Sequence, residues 1–310
     1  VVIAVIDIGT NTVLLLVATV GPAGQLETLE FQQRVPRLGR GVDERKTLHP
    51  DSMQRVIDVL VEYRTIAARY SPEVVAICGT SAVRDAANRE EFAALIQREV
   101  GFSLDVLTGE EEALWTYRGA LSGISDISHA TVVDIGGGST ELTTGTVHEI
   151  LATTSLDIGS VRLTERLMRH DPPLDAEVAA VRRAVASSLA TIPSSLVRNP
   201  VRLVGVAGTV TTLALLAQQK RSFDLQAVSG HIVQRAAVSA LVMRLQQLSS
   251  AEILEMGNYL EGRNDVITAG AIILEEVMAV LGAEEITVSE RGVRYGIAIR
   301  EWEKKGENSG

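Results

Sequence analysis

The sequence predicts an α/β protein of two similar lobes, each a mixed sheet flanked by helices. Three observations carry that expectation. Runs of β-branched residues alternate with helical periodicities along the 310 residues. The scheme restarts after the small, polar stretch from Ser122 to Ala130. The string "VIDIGTNT" returns as "VVDIGGGST", so Asp134 in the second copy stands where Asp7 stands in the first.

The elements follow in order. Two β-like runs, "VVIAVIDIG" and "VLLLVATVG", flank the polar turn "TNT". Val56, Ile57, Leu60, Val61 and Ile66 recur at helical spacing within Asp51 to Tyr70. A strand, "VVAICG", follows at Val74 to Gly79. Asn88 with Glu91 three residues on reads as a capping box that opens a helix closed at Gly101. After the short strand "SLDVLTG" a third helix begins in "EEEALWTYRGAL". The second copy starts with "TVVDIGGGSTELTTGTVHEI", read as strand, turn, strand. A helix is expected over Asp175 to Leu196, with Val178, Val181, Val185, Leu189 and Ile192 on one face. "VRLVGVAGT" reads as a strand ending in a tight turn into a helix. Helices near Gln234 to Leu248 and Asp265 to Leu281 precede the strand "EITVSE", and "VRYGIAIREWEKK" reads as a terminal helix. The lobes are expected at 1–124 and 125–296, with about 297–310 packing back on the first.

Composition excludes several classes. Hydrophobic residues make up 46% and charged residues 22%, the mix of a soluble globular chain. No apolar run approaches the ~20 residues that span a bilayer. The start lacks the basic region and cleavage site of a signal peptide. The lone Cys78, inside "VVAICG", has no disulfide partner and suits a buried thiol of a cytosolic protein. A net charge of −10 argues against a nucleic-acid binder.

Each glycine turn joins two strands, unlike a Rossmann or P-loop site, where a strand feeds a helix. Two lobes with such hairpins imply a cleft with a phosphate loop on either wall. Gly136, Gly137 and Gly138 can adopt positive φ and let N–H groups converge on an anion, while Ser139 and Thr140 add hydroxyl donors. Asp134 and Glu141 bracket this turn. They make sense with a Mg²⁺ between carboxylates and phosphate oxygens; the alternative is a plain hairpin with solvated acids at its ends. "GTSAVRDAAN" offers the hydroxyls of Thr80 and Ser81, with Arg84 one turn on, either to a phosphate or to ordinary capping. In "TGEEEALWTYRGA" the macrodipole and the Thr108 cap already favour acids. Glu112 shares a face with Trp115 and with Thr116 or Arg118, apart from Glu110 and Glu111. A hydrolase would keep its water-activating base there. "GVAGTVTTLA" places Gly208 and Thr209 in a further turn suited to a nucleotide. "DIGSVRLTE" offers Arg162 as a phosphate ligand. His170-Asp171 lacks matching partners among His49, His129, His148 and His231.

Taken in order, "DIGTNT", "GTSAVRDAAN", "GEEEA", "DIGGGSTEL", "GSVRLTE", "GVAGTVTTLA" and "VSERGVRYGI" resemble the exopolyphosphatase and guanosine pentaphosphate phosphohydrolase family over nearly the whole chain. The pair "GTSAVRDAAN" and "GEEEA" is its most specific part. The resemblance implies two ribonuclease-H-like lobes of the actin-like ATPase superfold, with the active site in the cleft between them. It implies Glu112 as general base, and Asp134 and Glu141 as Mg²⁺ (or Mn²⁺) ligands with Asp7 close by. The amides of Gly136 to Ser139 would stabilise the transferred phosphoryl, and Asn11, Thr12, Ser81 and Arg84 would hold the phosphate chain. K⁺ is expected as a stimulant. The implied activity is release of orthophosphate from the ends of inorganic polyphosphate, short chains preferred. Guanosine pentaphosphate hydrolysis is the rival, and a non-hydrolysing nucleotide-binding regulator the rival of another class. A cytoplasmic homodimer without nucleic-acid or membrane partners is expected. Thr10, Thr12, Arg40 and Tyr295 depart from the usual family pattern.

Overall fold

The structure is a computed structural model that describes every residue except 23, 125–126, 128, 147–148, 198–201 and 308–310. The apolar runs at the N-terminus pair as an antiparallel hairpin, β1 (Val2–Ile8) with β2 (Val13–Val20), whose register ends at Ile8 opposite Val13. β3 (Leu26–Arg34) continues the sheet beyond β2, while β4 (Val74–Gly79) and β5 (Leu104–Val106) add parallel strands beyond β1. The order is β3-β2-β1-β4-β5. β3 was not anticipated. It is an edge strand with one face in solvent, so "LETLEFQQR" carries only a weak apolar alternation.

Alternate residues of β1 point to opposite faces. Ala4, Ile6 and Ile8 pack against Val56, Ile57 and Leu60 of helix Pro50–Ala68. Ile3 and Val5 pack against Val293, Tyr295 and Ile297 of the terminal helix Val293–Glu307. Asp7 shares that second face by register. The terminal helix crosses helix Gly109–Leu121 backbone to backbone: a Cβ on Gly119 would strike the Gly292 carbonyl, and one on Gly296 the Trp115 carbonyl. An Arg118–Glu303 ion pair, 2.9 Å from Nη1 to Oε2, closes the same crossing.

The second copy repeats the plan. β6 (Ala130–Ile135), β7 (Thr140–Gly145) and β8 (Ile150–Leu156) are antiparallel neighbours. β9 (Arg202–Val206) and β11 (Glu285–Val288) follow in parallel, and β10 (Ile232–Gln234) closes the edge antiparallel to β11. The order is β10-β11-β9-β6-β7-β8. Val133, Ile135 and Leu142 pack with Val181, Leu213 and Ile272 of helices Asp175–Leu189, Ala207–Ala217 and Ile267–Val280. Both hairpins close alike: Gly9 N donates to Thr12 O at 2.9 Å, and Gly136 N to Ser139 O at 3.0 Å. Each unit is thus a mixed sheet flanked by helices.

The first unit comprises Val1–Ser122 with Arg291–Gly310, the second Gly123–Glu290. The second unit thus ends at Glu290 rather than 296. The terminal helix starts at Val293 because Val293 and Tyr295 are already buried with Ile3 and Val5. The helix expected to reach Leu196 stops at Leu189, ahead of Pro193, which cannot donate to a helical ladder; a short turn, Ser194–Val197, follows. Asn88 precedes helix Arg89–Val100 without capping it. Its side chain instead accepts from Leu48 N at 2.8 Å and donates to Leu48 O at 3.1 Å. Among the described residues no helix is long and apolar enough to cross a membrane.

Candidate active site

Local helix chemistry sorts the three acids of "GEEEA". Thr108 caps helix Gly109–Leu121 by accepting from Glu111 N at 3.1 Å, and Glu111 Oε2 accepts from Thr108 N at 2.9 Å. Glu111 is thereby committed to the cap, and Glu110 faces solvent. Glu112 alone turns inward, 8% exposed. Its Oε2 accepts from Arg84 Nη1 at 2.8 Å, and the same nitrogen donates to Leu107 O at 2.9 Å. Burial pushes the Glu112 carboxyl above its ordinary value, and Arg84 opposes that rise. A buried carboxylate of raised proton affinity, oriented by one guanidinium, has the properties of a general base.

Arg84 ends the one-turn segment Ser81–Arg84, directly after β4. Part of its guanidinium serves Glu112, so it orients the expected base as well as carrying positive charge. Ser81 is buried beside it. Thr80 differs from expectation: its hydroxyl is aimed at Ile8 O, 3.5 Å away, and its N–H donates to the same carbonyl at 3.2 Å, so it ties β4 to β1. Asn11 and Thr12 lie half-buried in the β1–β2 turn, where their carbonyls accept from Arg37 N at 3.1 Å and Gly9 N at 2.9 Å. Gly39 N donates to Thr10 O at 2.8 Å, which seats "RLGRG" against the turn and leaves Arg40 exposed. Asp7, at the end of β1, is buried with Oδ1 unpartnered. Burial raises its carboxyl to about 7, against the pull of Arg294 and with a smaller push from Glu112.

In the second unit Asp134 and Glu141 are direct cross-strand partners of β6 and β7, so both carboxylates leave the same face of the sheet. Both are buried, and Glu141 Oε1 accepts from Ser155 Oγ at 2.7 Å. The glycine turn beside them is pinned from behind by helix Ser160–Leu167. Ser160 N donates to Gly136 O at 3.0 Å, Val161 N and Arg162 N donate to Gly137 O at 2.9 and 3.0 Å, and Arg162 Nε donates to Gly138 O at 2.6 Å. In a trans peptide the N–H points opposite to the preceding carbonyl. Three carbonyls drawn to the helix therefore send the N–H groups of Gly137, Gly138 and Ser139 to the other side. Among the described residues none accepts from them. That is an anion nest.

This geometry corrects several expectations. None of Gly136, Gly137 and Gly138 has a left-handed φ; the crowded position is Gly159, where a Cβ would strike the backbone of Gly137 and Gly138. Arg162, 8% exposed, donates from Nε to Gly138 O and so braces the carbonyl side of the turn. The Thr140 hydroxyl is spent on Ile158 O at 2.6 Å. Gly208 and Thr209 lie inside the first turn of helix Ala207–Ala217, because Ala207 takes a left-handed φ of 65° directly after β9 and no separate turn forms. The Thr209 hydroxyl donates to Ile135 O at 3.0 Å. The Arg263 guanidinium lies across Gly208, where a Cβ would collide with it; "GRND" carried no recognised signal for this. His170 pairs with Glu177 at 2.9 Å, and Asp171 accepts from Ser250 N at 2.7 Å, so that dipeptide is structural. His148 lies outside the described residues. Tyr295 is buried in the first unit, its hydroxyl 2.9 Å from Thr28 Oγ1 and its ring under Arg291 and Arg294.

Known proteins are similar to this chain along nearly its whole length. The Ppx/GppA phosphatase family profile matches residues 16–305. Exopolyphosphatase 2 of Mycobacterium tuberculosis is 38% identical, over 96% of this chain and 97% of that protein. The solved structure of the Aquifex aeolicus Ppx/GppA family member matches with a TM-score of 0.82 at 32% identity, covering 98% of both chains. An exopolyphosphatase from Cytophaga hutchinsonii matches with a TM-score of 0.89 at 26% identity, again over 98% of both. Matched by the family profile along most of its length and by a relative at 38% identity over nearly the whole of both chains, this chain belongs to the Ppx/GppA phosphatase family.

Proposed function

We propose that the protein is an exopolyphosphatase that removes the terminal phosphoryl group of inorganic polyphosphate, with short chains preferred. The observation that carries this reading is Glu112: of three adjacent acids it alone is buried, and Arg84 holds it in place. A sensor needs no such base. The likeness to exopolyphosphatase 2 over nearly the whole chain supports the substrate.

Glu112 takes a proton from a water whose oxygen attacks the terminal phosphorus. The new P–O bond forms as the terminal anhydride P–O bond breaks, giving orthophosphate and a chain shorter by one phosphate. The N–H groups of Gly137, Gly138 and Ser139 hold the charge that gathers on the phosphoryl oxygens. Asn11, Thr12, Ser81 and Arg84 are the first unit's contribution to holding the chain. Asp134 and Glu141 would hold a Mg²⁺, with Asp7 supporting it. Among the described residues no group of three or more acids, histidines or cysteines converges into a full cage. The donor set of Asp134 and Glu141 still fits Mg²⁺, which takes one or two carboxylates and completes its shell with water and phosphate. Bound there, the ion would neutralise phosphate oxygens.

The test is phosphate release from defined short and long polyphosphates and from guanosine pentaphosphate, for the native chain and Glu112→Gln. Native turnover should favour short polyphosphate, require Mg²⁺ or Mn²⁺, stop with EDTA and rise with K⁺. Glu112→Gln should lose about 10²–10⁴-fold in kcat with KM little changed. Release from guanosine pentaphosphate alone would overturn the substrate, and full turnover by Glu112→Gln would overturn the mechanism.

A further inference from the structure

Strand β8 carries a hydroxyl to which the reading above gives no role. The register sets Asp134, Glu141 and Ser155 directly opposite one another on β6, β7 and β8, so their side chains form one row on one face of the sheet. Glu141 stands in the middle of that row, 2% exposed, and its Oε1 accepts from Ser155 Oγ at 2.7 Å. β8 is the edge of the sheet, and Ser155 itself is exposed. Two residues along, the next row repeats the contact in neutral form, with the Thr143 and Thr153 hydroxyls 2.9 Å apart.

Like charges placed directly opposite in a sheet repel, because their Cβ atoms are only about 4.5–5.5 Å apart. Asp134 and Glu141 are such a pair, and a glutamate side chain has the torsional freedom to swing away. Ser155 lies on the far side of Glu141 from Asp134, and its hydroxyl draws the Glu141 carboxylate towards β8. The contact has the length of a charge-assisted hydrogen bond, the kind that holds a carboxylate in one orientation. It therefore sets how far apart the two carboxylates stand, which is the gap that would admit a divalent cation. Burial does not account for Ser155, since an exposed hydroxyl could bond to water equally well.

We propose that Ser155 is a positioning residue that orients the Glu141 carboxylate for divalent-cation binding with Asp134. The inference rests on the metal-holding role proposed for Asp134 and Glu141. Groups that orient a metal-site carboxylate change metal affinity or activity by about 10–100-fold when lost.

The experiment compares Ser155→Ala, Ser155→Thr and Glu141→Gln, and Ser155→Ala combined with Glu141→Gln, with a thermal melt of each to establish folding. It reads Mn²⁺ affinity without polyphosphate, from the electron paramagnetic resonance signal of the free ion, and the Mg²⁺ concentration that gives half-maximal phosphate release. Ser155→Ala should weaken Mn²⁺ binding about 10-fold and raise the half-maximal Mg²⁺ concentration by a similar factor. Ser155→Thr keeps the hydroxyl in a residue that strands favour, and should stay within about 2-fold of native. In the Glu141→Gln background the further loss from Ser155→Ala should shrink to less than about 2-fold, as coupled sites require. Equal losses in both backgrounds, or Ser155→Thr failing as badly as Ser155→Ala, would make Ser155 merely structural and overturn the proposal. A Ser155→Ala variant with native Mn²⁺ affinity, beside an impaired Glu141→Gln, would overturn this inference alone. A Glu141→Gln variant with native affinity would remove the metal role of Glu141 and this inference with it.

Discussion

At the scale of single residues, burial and hydrogen-bond partners separate side chains of the same type. Glu110, Glu111 and Glu112 differ by one position each, yet one is solvated, one caps a helix and one is buried against Arg84. A base must be ionised to act, and burial raises Glu112 above the ordinary 4.5. The acidic limb of kcat/KM should therefore lie above that value, with activity lost as pH falls through it. Arg84 lowers the Glu112 pKa, so Arg84→Gln should move the limb to still higher pH, besides raising KM. A pH–rate profile checks both; an unmoved limb would mean that Arg84 does not tune the base.

At the scale of elements, the glycine turn takes its shape from a helix that holds its carbonyls. The amides of Ser160, Val161 and Arg162 and the Arg162 guanidinium draw three carbonyls one way and leave three N–H groups facing the other. Gly159 permits the contact. Gly159→Ala should push the helix off the turn, costing about 1–3 kcal/mol of stability by overpacking. KM for polyphosphate should rise as well, because the amides lose their common direction. Denaturant unfolding and phosphate-release kinetics check the two effects, and a change in stability without a change in KM would argue against the nest. The sequence showed which residue types gather at this turn but not which side each one serves. Thr140 and Arg162 looked like ligands by type, and their hydrogen bonds make them supports.

At the scale of the molecule, a duplicated hairpin sheet provides two units with separate cores. The terminal helix belongs to the first, locked by Gly296 against the Trp115 carbonyl. Gly296→Ala should destabilise the first unit by about 1–3 kcal/mol and leave the second unchanged. Hydrogen exchange resolved by segment would show faster exchange in β1 and β2 with β6 and β7 unaffected; equal loss in both sheets would refute separate cores. The repeat, the strand–turn–strand form of both loops and the family were all legible in the chain itself. They rest on local periodicity and on motifs whose residues are neighbours in sequence. β3, the Asn88 clamp on Leu48 and the bracing by Arg162 were decided only by tertiary structure. Each depends on contacts between segments far apart along the chain, and local pattern carries no record of which distant partner a polar group will meet.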